Sequence, residues 1–237
     1  MYLKKTAKVL GLIGVGLFAL MVLLTIFIYI NYNEPLPTGK QGAAADQLAD
    51  KMLDALSYEA YQETNYLSWT FKGAHQYQWN RSEGKCNVRW DNLVVDLDLK
   101  NKDKSSVILE GTLYSGPDKN SYINTALSYF NNDSFWLVAP YKVFDSGVER
   151  RLVKTENGDA LLVTYISGGT TPGDSYLWHL DKKGVPTSFQ MWVKIIPIGG
   201  ISATWEQWLT TSSGAKLPGF HKLLFLDLVM SSVQGKK

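Results

Sequence analysis

The spacing of apolar residues changes repeatedly along the chain, and each change marks an element. Val9 to Asn33 is uncharged and rich in Leu, Ile, Val and Phe; a run of roughly 20 to 25 such residues makes a helix long enough to cross a hydrocarbon core about 30 Å thick. Pro35, Pro37, Gly39 and Gly42 then break any regular period, so residues 34–42 read as a linker. From Ala43 to about Ala60 the period is helical: Ala45, Leu48, Ala49, Met52, Leu53 and Leu56 form one face, with Asp46, Asp50, Lys51 and Asp54 between them.

After that helix the period falls to two, the signature of half-buried strands. Leu67, Trp69 and Phe71 alternate with Ser68, Thr70 and Lys72; His75, Tyr77 and Trp79 alternate with Gln76, Gln78 and Asn80. Cys86, Val88 and Trp90 continue the pattern, followed by Leu93, Val95, Leu97 and Leu99, then Val107, Leu109 and Leu113. Between Gly116 and Asn132 the helical period returns with Tyr122, Ile123, Ala126, Leu127 and Phe130 on one face. Strands are predicted again at residues 149–153, 161–166, 176–180, 189–195, 201–209 and 220–228, with Gly158 and Gly184 in the hairpin turns between them. In residues 135–147, Phe135, Trp136 and Leu137 read as a strand that Pro140 ends, and Asp145-Ser146-Gly147 as a turn.

The simplest assembly is α+β but mainly β: an antiparallel meander with helices at its start and middle, preceded by one transmembrane helix. Three regions follow: residues 1–33 form a cytoplasmic tip and anchor, 34–42 the linker, and 43–237 one folded domain.

Eight tryptophans sharpen that picture. Trp69, Trp79, Trp90, Trp178 and Trp205 fall on the apolar side of their strands, while Trp192 and Trp208 fall on the other, so the second face is also partly covered. Large side chains on a curved sheet either fill a core or line an apolar cavity. The candidate lining residues are Trp69, Phe71, Tyr77, Trp79, Val88, Trp90 and Leu109 from the first half of the sheet. From the second half they are Tyr176, Trp178, Met191 and Trp205, with Phe135 and Trp136 as a plug, fixed or hinged, between the halves. Residues 168–173 are expected to form a loop at the cavity mouth.

Charge places the anchor. Lys4, Lys5 and Lys8 precede the apolar run and no basic cluster follows it closely, so the amino terminus is expected in the cytoplasm and the domain outside. The run is longer than the apolar core of a cleaved signal peptide, and Tyr29-Ile30-Asn31-Tyr32-Asn33-Glu34 lacks a small-residue cleavage pattern, which favours an uncleaved anchor. Without those three lysines the 24 basic and 22 acidic residues become 21 against 22, too balanced for the basic face a nucleic-acid binder needs. The lone cysteine, Cys86, cannot close an internal disulfide, and its strand position reads as a buried thiol.

Reactive chemistry finds little support. His75, His179 and His221 lie in different strands without metal-ligand spacing. Asp96 and Asp98 share one strand face with no partner to set an acid and a base apart. No serine sits in a Gly-x-Ser-x-Gly elbow, and Gly168 to Gly173 lacks the lysine and helix of a phosphate loop. No metal, cofactor or catalytic activity is expected.

The order of one helix, a run of strands, a second helix around Tyr122 to Phe130, the segment Ser134-Phe135-Trp136-Leu137-Val138-Ala139-Pro140-Tyr141-Lys142-Val143-Phe144-Asp145-Ser146-Gly147, and more strands resembles the LolA/LolB superfamily. It is most similar to the uncharacterised outer-membrane-lipoprotein-sorting-like branch of bacterial envelopes. The resemblance implies an incomplete antiparallel β-barrel of about eleven strands wrapped over helices, whose concave face holds acyl chains of lipids or lipoproteins. The family's carrier holds an early-strand arginine in its cavity; Arg89 is the nearest counterpart, and its phase is opposite that of Trp90. The chain departs from the family in its protein anchor, because a tethered domain cannot shuttle.

The expected function is therefore a membrane-anchored periplasmic protein at the bacterial inner membrane that accommodates a hydrophobic ligand. The alternative is a structural or partner-binding envelope protein with a filled barrel; protein partners are not specified by the sequence.

Overall fold

A computed structural model describes residues 2–167 and 171–237. Gly168, Gly169 and Thr170, the centre of the loop expected at a cavity mouth, lie outside the described residues. The first helix, α1 (Tyr2–Tyr32), contains the stretch Ile13–Tyr32, which is long and apolar enough to cross a membrane and is not buried against the rest of the chain.

Two helices, α2 (Ala43–Ala55) and α3 (Tyr58–Gln62), precede six strands: β1 (Tyr66–Phe71), β2 (His75–Asn80), β3 (Lys85–Trp90), β4 (Leu93–Asp98), β5 (Ser106–Leu109) and β6 (Thr112–Tyr114). The long helix α4 (Lys119–Val138) and a 3₁₀ turn at Ala139–Lys142 lead to β7 (Val148–Thr155), β8 (Gly158–Tyr165), β9 (Asp174–Leu180), β10 (Pro186–Trp192) and β11 (Ile201–Thr204). A short ribbon of β12 (Leu209–Thr210) and β13 (Lys216–Leu217) interrupts the meander before β14 (Phe220–Leu223) and β15 (Leu226–Lys236).

Among the described residues, 13 strands form one sheet in the order β6-β5-β4-β3-β2-β1-β15-β14-β11-β10-β9-β8-β7, each pair antiparallel. The last strand joins the halves, pairing with β1 on one side and β14 on the other. Its register against β1 shifts between Ser68 and Thr70, where Ser232 has φ 55°, a bulge that adds local bend and twist. The edges β6 and β7 do not meet, so the barrel is incomplete. The alternation of the early strands sets which face is inner: Leu67, Trp69 and Phe71 are buried while Ser68 and Thr70 are not. On that face α2 packs against β7 and β8, and α4 against β4 and β5.

Several elements differ from their sequence expectation for identifiable reasons. The helix from Ala43 does not reach Ala60 unbroken, because Ser57 adopts the left-handed conformation at φ 60° and splits α2 from α3. Residues 135–138 are not a strand: α4 continues through them, its buried stripe running Ile123, Ala126, Phe130, Asp133, Leu137 at alternating steps of three and four. The strand predicted at residues 201–209 ends at Thr204, so its phase does not carry on. Trp208 accordingly packs against the main core and stacks on Trp205 at 5.7 Å, and of the two tryptophans expected on the second face only Trp192 is there. The strand predicted at residues 220–228 is instead a hairpin that turns at Leu224 and Phe225.

The segment after α1 is docked on the outer face. Glu34 N–H donates to Gly199 O at 3.0 Å, Gly199 N–H donates to the Asn33 side chain at 2.8 Å, and Trp192 Nε1 donates to Glu34 O at 2.8 Å. Further on, Lys40 exchanges both backbone hydrogen bonds with Leu152 of edge strand β7, at 2.9 and 2.8 Å. Residues 34–40 thus cross from β10 to β7 beside an outer apolar cluster of Val153, Ala160, Leu162, Leu177 and Trp192. Two glycines permit the approach. A Cβ on Gly199 would lie 2.3 Å from Trp192 Cδ1 and 2.7 Å from Glu34 O, and one on Gly39 would lie 2.8 Å from Arg151 Cβ.

Candidate functional site

Alternation turns aromatic residues of many strands inward, so the inner face of the sheet is an aromatic wall. In the half built from β1 to β5, Trp69 stacks on Tyr77 with ring centroids 4.4 Å apart, Trp79 meets Phe130 of α4 edge-on at 5.0 Å, and Trp90 meets Tyr129 edge-on at 5.5 Å. Phe71 and Val88 are buried in the same wall and Leu109 packs against it. In the half built from β8 to β11, Trp178 stacks on Trp205 at 5.3 Å, Tyr176 lies 4.5 Å from Phe135, and Trp136 lies 5.6 Å from Phe189, beside buried Met191.

All the sequence-derived candidates therefore belong to one cluster, in which Trp79, Leu109 and Phe135 are partly buried and the others buried. Phe135 and Trp136 reach β9 and β10 from the last turns of α4. Arg89 is exposed on the outer face, away from this cluster.

Polar atoms inside such a wall need partners, because an unmade buried hydrogen bond costs about 1–3 kcal/mol. Trp208 has one, donating to Pro186 O at 3.0 Å. The buried indole Nε1 atoms of Trp69, Trp79, Trp178 and Trp205 find no acceptor among the described residues. These four donors come from both halves of the inner face.

Sequence reasoning missed two polar nodes on this face. Asp133 is almost fully buried on the apolar stripe of α4; its Oδ2 accepts from Tyr77 OH at 2.5 Å and lies 2.7 Å from His75 Nδ1, while Asn132 Nδ2 donates to Oδ1 at 2.8 Å. Burial and the adjacent Asp133 charge both push the Tyr77 hydroxyl's pKa up, so it stays a donor. The second node is His221 on β14, wholly buried between two carbonyl oxygens. A helical stripe extended past Asn132 would have exposed the first, since an acid then falls on the apolar face.

Other singled-out groups have local partners. Asn87 Nδ2 donates to Asp96 Oδ1 at 2.6 Å, and Asp98 Oδ1 accepts from the backbone N–H groups of Asn101 and Lys100, Asn101 foremost, which lowers its pKa. Burial pushes the Cys86 thiol up, leaving it a poor nucleophile. Among the described residues no three His, Cys, Asp or Glu side chains gather as metal ligands.

A cavity of about 850 Å³ lies outside the aromatic wall. It follows polar residues of the outer face, including Ser68, Gln78, Asn87 and Asp96, and of the cavity candidates only Trp79 lines it.

No protein-family model matches the sequence, and no curated protein matches it. Among solved structures the chain is similar to a DUF1329 family protein from Desulfovibrio piger, at 10% identity and a TM-score of 0.39, over 81% of this chain and 93% of that one.

Proposed function

We propose that this is a membrane-anchored binding protein of the bacterial envelope, with its half-barrel in the periplasm accommodating the acyl chains of a lipid or lipoprotein. The fold reading follows the LolA/LolB resemblance in the sequence, and α1 supplies the anchor. The observation that carries the ligand reading is the set of four buried indole N–H groups on the inner face without a protein acceptor. Ester or amide carbonyls beside acyl chains supply such acceptors, and each buried methylene adds about 0.8 kcal/mol. A chain entering between the sheet and α4 displaces Phe135 and Trp136, the side chains that bridge the helix to β9 and β10. No covalent step is involved, and the tether restricts exchange to the membrane beside it.

The test is extraction of the detergent-purified full chain, lipid analysis of the extract, and titration with a fluorescent fatty acid. Bound lipid and displaceable probe support the reading; a lipid-free protein that never takes up the probe sinks it. The second reading, a filled barrel that serves a protein partner, is favoured by the close packing of Phe135 on Tyr176. It predicts a stable protein complex recovered without lipid.

A further inference from the structure

A meander sends its turns alternately to two ends of the sheet, and the two ends here differ in chemistry. One end carries the turns at residues 81–84, 99–105, 156–157 and 181–185, with Arg81, Glu83, Lys102, Asp103, Glu156, Lys182 and Lys183 among them. The other carries the turns at residues 72–74, 91–92 and 110–111, with Lys72, Asp91 and Glu110, and also residues 193–200 between β10 and β11 and the turn between β14 and β15, where exposed apolar side chains gather. Ile195 is 73% exposed there, and Leu224, Phe225 and Leu226 are 60%, 84% and 41% exposed.

The β14–β15 turn is chemically unusual. Leu223 pairs with Leu226, so the loop has two residues, and Leu224 takes φ 55°. Two-residue hairpin loops favour Asn-Gly or Asp-Gly, and a left-handed conformation costs an ordinary residue about 1–2 kcal/mol. Leu-Phe here contributes neither turn chemistry nor burial, which leaves an external role for the pair.

Its position names the partner. Asn33 and Glu34, directly after α1, are hydrogen-bonded to Gly199, in the loop that leads into β11, and β11 is the strand beside β14. The apolar tip therefore lies at the same end of the sheet as the point where the spanning helix joins the domain. Tyr29 and Tyr32 close that helix, in the place where aromatic residues mark a membrane interface.

We propose that Leu224, Phe225 and Ile195 insert into the lipid headgroup layer of the leaflet from which α1 emerges, fixing the domain against the bilayer. The inference rests on the anchor reading above, and does not depend on what the half-barrel binds. Lys72, Lys194 and Lys222 lie at this end with Glu34, Asp91, Glu110 and Asp227, the last 3.9 Å from Lys222, so its charge is mixed and apolar insertion is the main attraction.

The full chain is reconstituted into phosphatidylcholine–phosphatidylglycerol vesicles carrying a nitroxide on the lipid near the headgroup. An environment-sensitive fluorophore is attached to Phe225→Cys or, as control, to Lys183→Cys; native Cys86 is buried and does not compete. The expected result is loss of most of the fluorescence at Phe225→Cys and none at Lys183→Cys. Vesicle flotation with equal, weak quenching at both sites overturns the contact alone, whereas failure to float overturns the anchor reading and the contact with it. A second variant, Leu224→Asn with Phe225→Gly, installs preferred turn residues and should melt no lower than the parent in detergent. A clear loss of stability would assign the pair to the fold and overturn the proposal.

Discussion

His221 Nε2 lies 2.7 Å from the carbonyl oxygen of Trp136, tying β14 to the last turns of α4. The other ring nitrogen lies 2.8 Å from Thr204 O. Only the imidazolium donates to both carbonyls, and those two hydrogen bonds, with the nearby Glu206 charge, favour it. Burial opposes the charge more strongly and brings the pKa down to about 4.

That balance predicts acid sensitivity with a definite sign. An exposed histidine titrates near 6.5. Between the two values the unfolded chain binds a proton the folded chain does not, so the contribution of this residue to stability rises from pH 4 to 6.5 and is flat above. The melting temperature of the native protein is expected to fall on acidification through that window more steeply than that of His221→Gln. Identical pH profiles for the two would refute the assignment.

The Asp133 node predicts a cost in stability. Tyr77→Phe removes a donor from a buried carboxylate, which carries the desolvation penalty of about 1–3 kcal/mol. Asp133→Asn keeps an oxygen that can accept from Tyr77 and removes the buried charge, so its loss should be smaller. Urea titration of the two variants gives the order; a Tyr77→Phe protein as stable as the native one contradicts it.

The aromatic wall was legible in the sequence because period two is enforced wherever one face of a strand is buried: Trp69, Val88 and Trp90 face inward as their alternation requires. Legibility failed where tertiary packing overrides local preference. Ser134-Phe135-Trp136-Leu137-Val138 is rich in strand-forming residues, yet it remains helical because its apolar stripe continues that of Ile123 and Phe130. The polar nodes were hidden by distance, since Asp133 meets partners 56 and 58 residues away. The docking of residues 34–40 was hidden by composition, because proline and glycine signal irregular backbone whether it is free or held against a sheet.

That docking predicts a separable lesion. On Gly39 a valine Cβ meets Arg151 Cβ at 2.8 Å and Leu152 O at 3.0 Å, which pushes the segment off β7. Gly39→Val should make residues 34–42 sensitive to limited proteolysis, with little change in the midpoint of domain unfolding. If cleavage stays as slow as in the native chain, the segment is held by other contacts, such as those of Glu34 with Gly199 and Trp192.

Phe135→Ala separates the two readings of the half-barrel. Its ring centroid lies 4.5 Å from that of Tyr176, 6.1 Å from that of Phe189 and 6.5 Å from that of Trp178, so its removal leaves a cavity in the aromatic wall. Loss of a buried phenylalanine costs about 3–5 kcal/mol by transfer and cavity terms together. Because Phe135 is only partly buried, the expected destabilisation in urea falls at the lower end of that range. If the wall accepts acyl chains between α4 and β9–β10, truncation also removes a group the ligand must displace, and the variant binds a fluorescent fatty acid more tightly although it is less stable. Added fatty acid then restores part of the lost stability, because a ligand that binds only the folded state raises its free energy of unfolding. A filled barrel gives destabilisation with neither tighter binding nor rescue, and that pattern would retire the lipid-binding reading in favour of a partner-binding one.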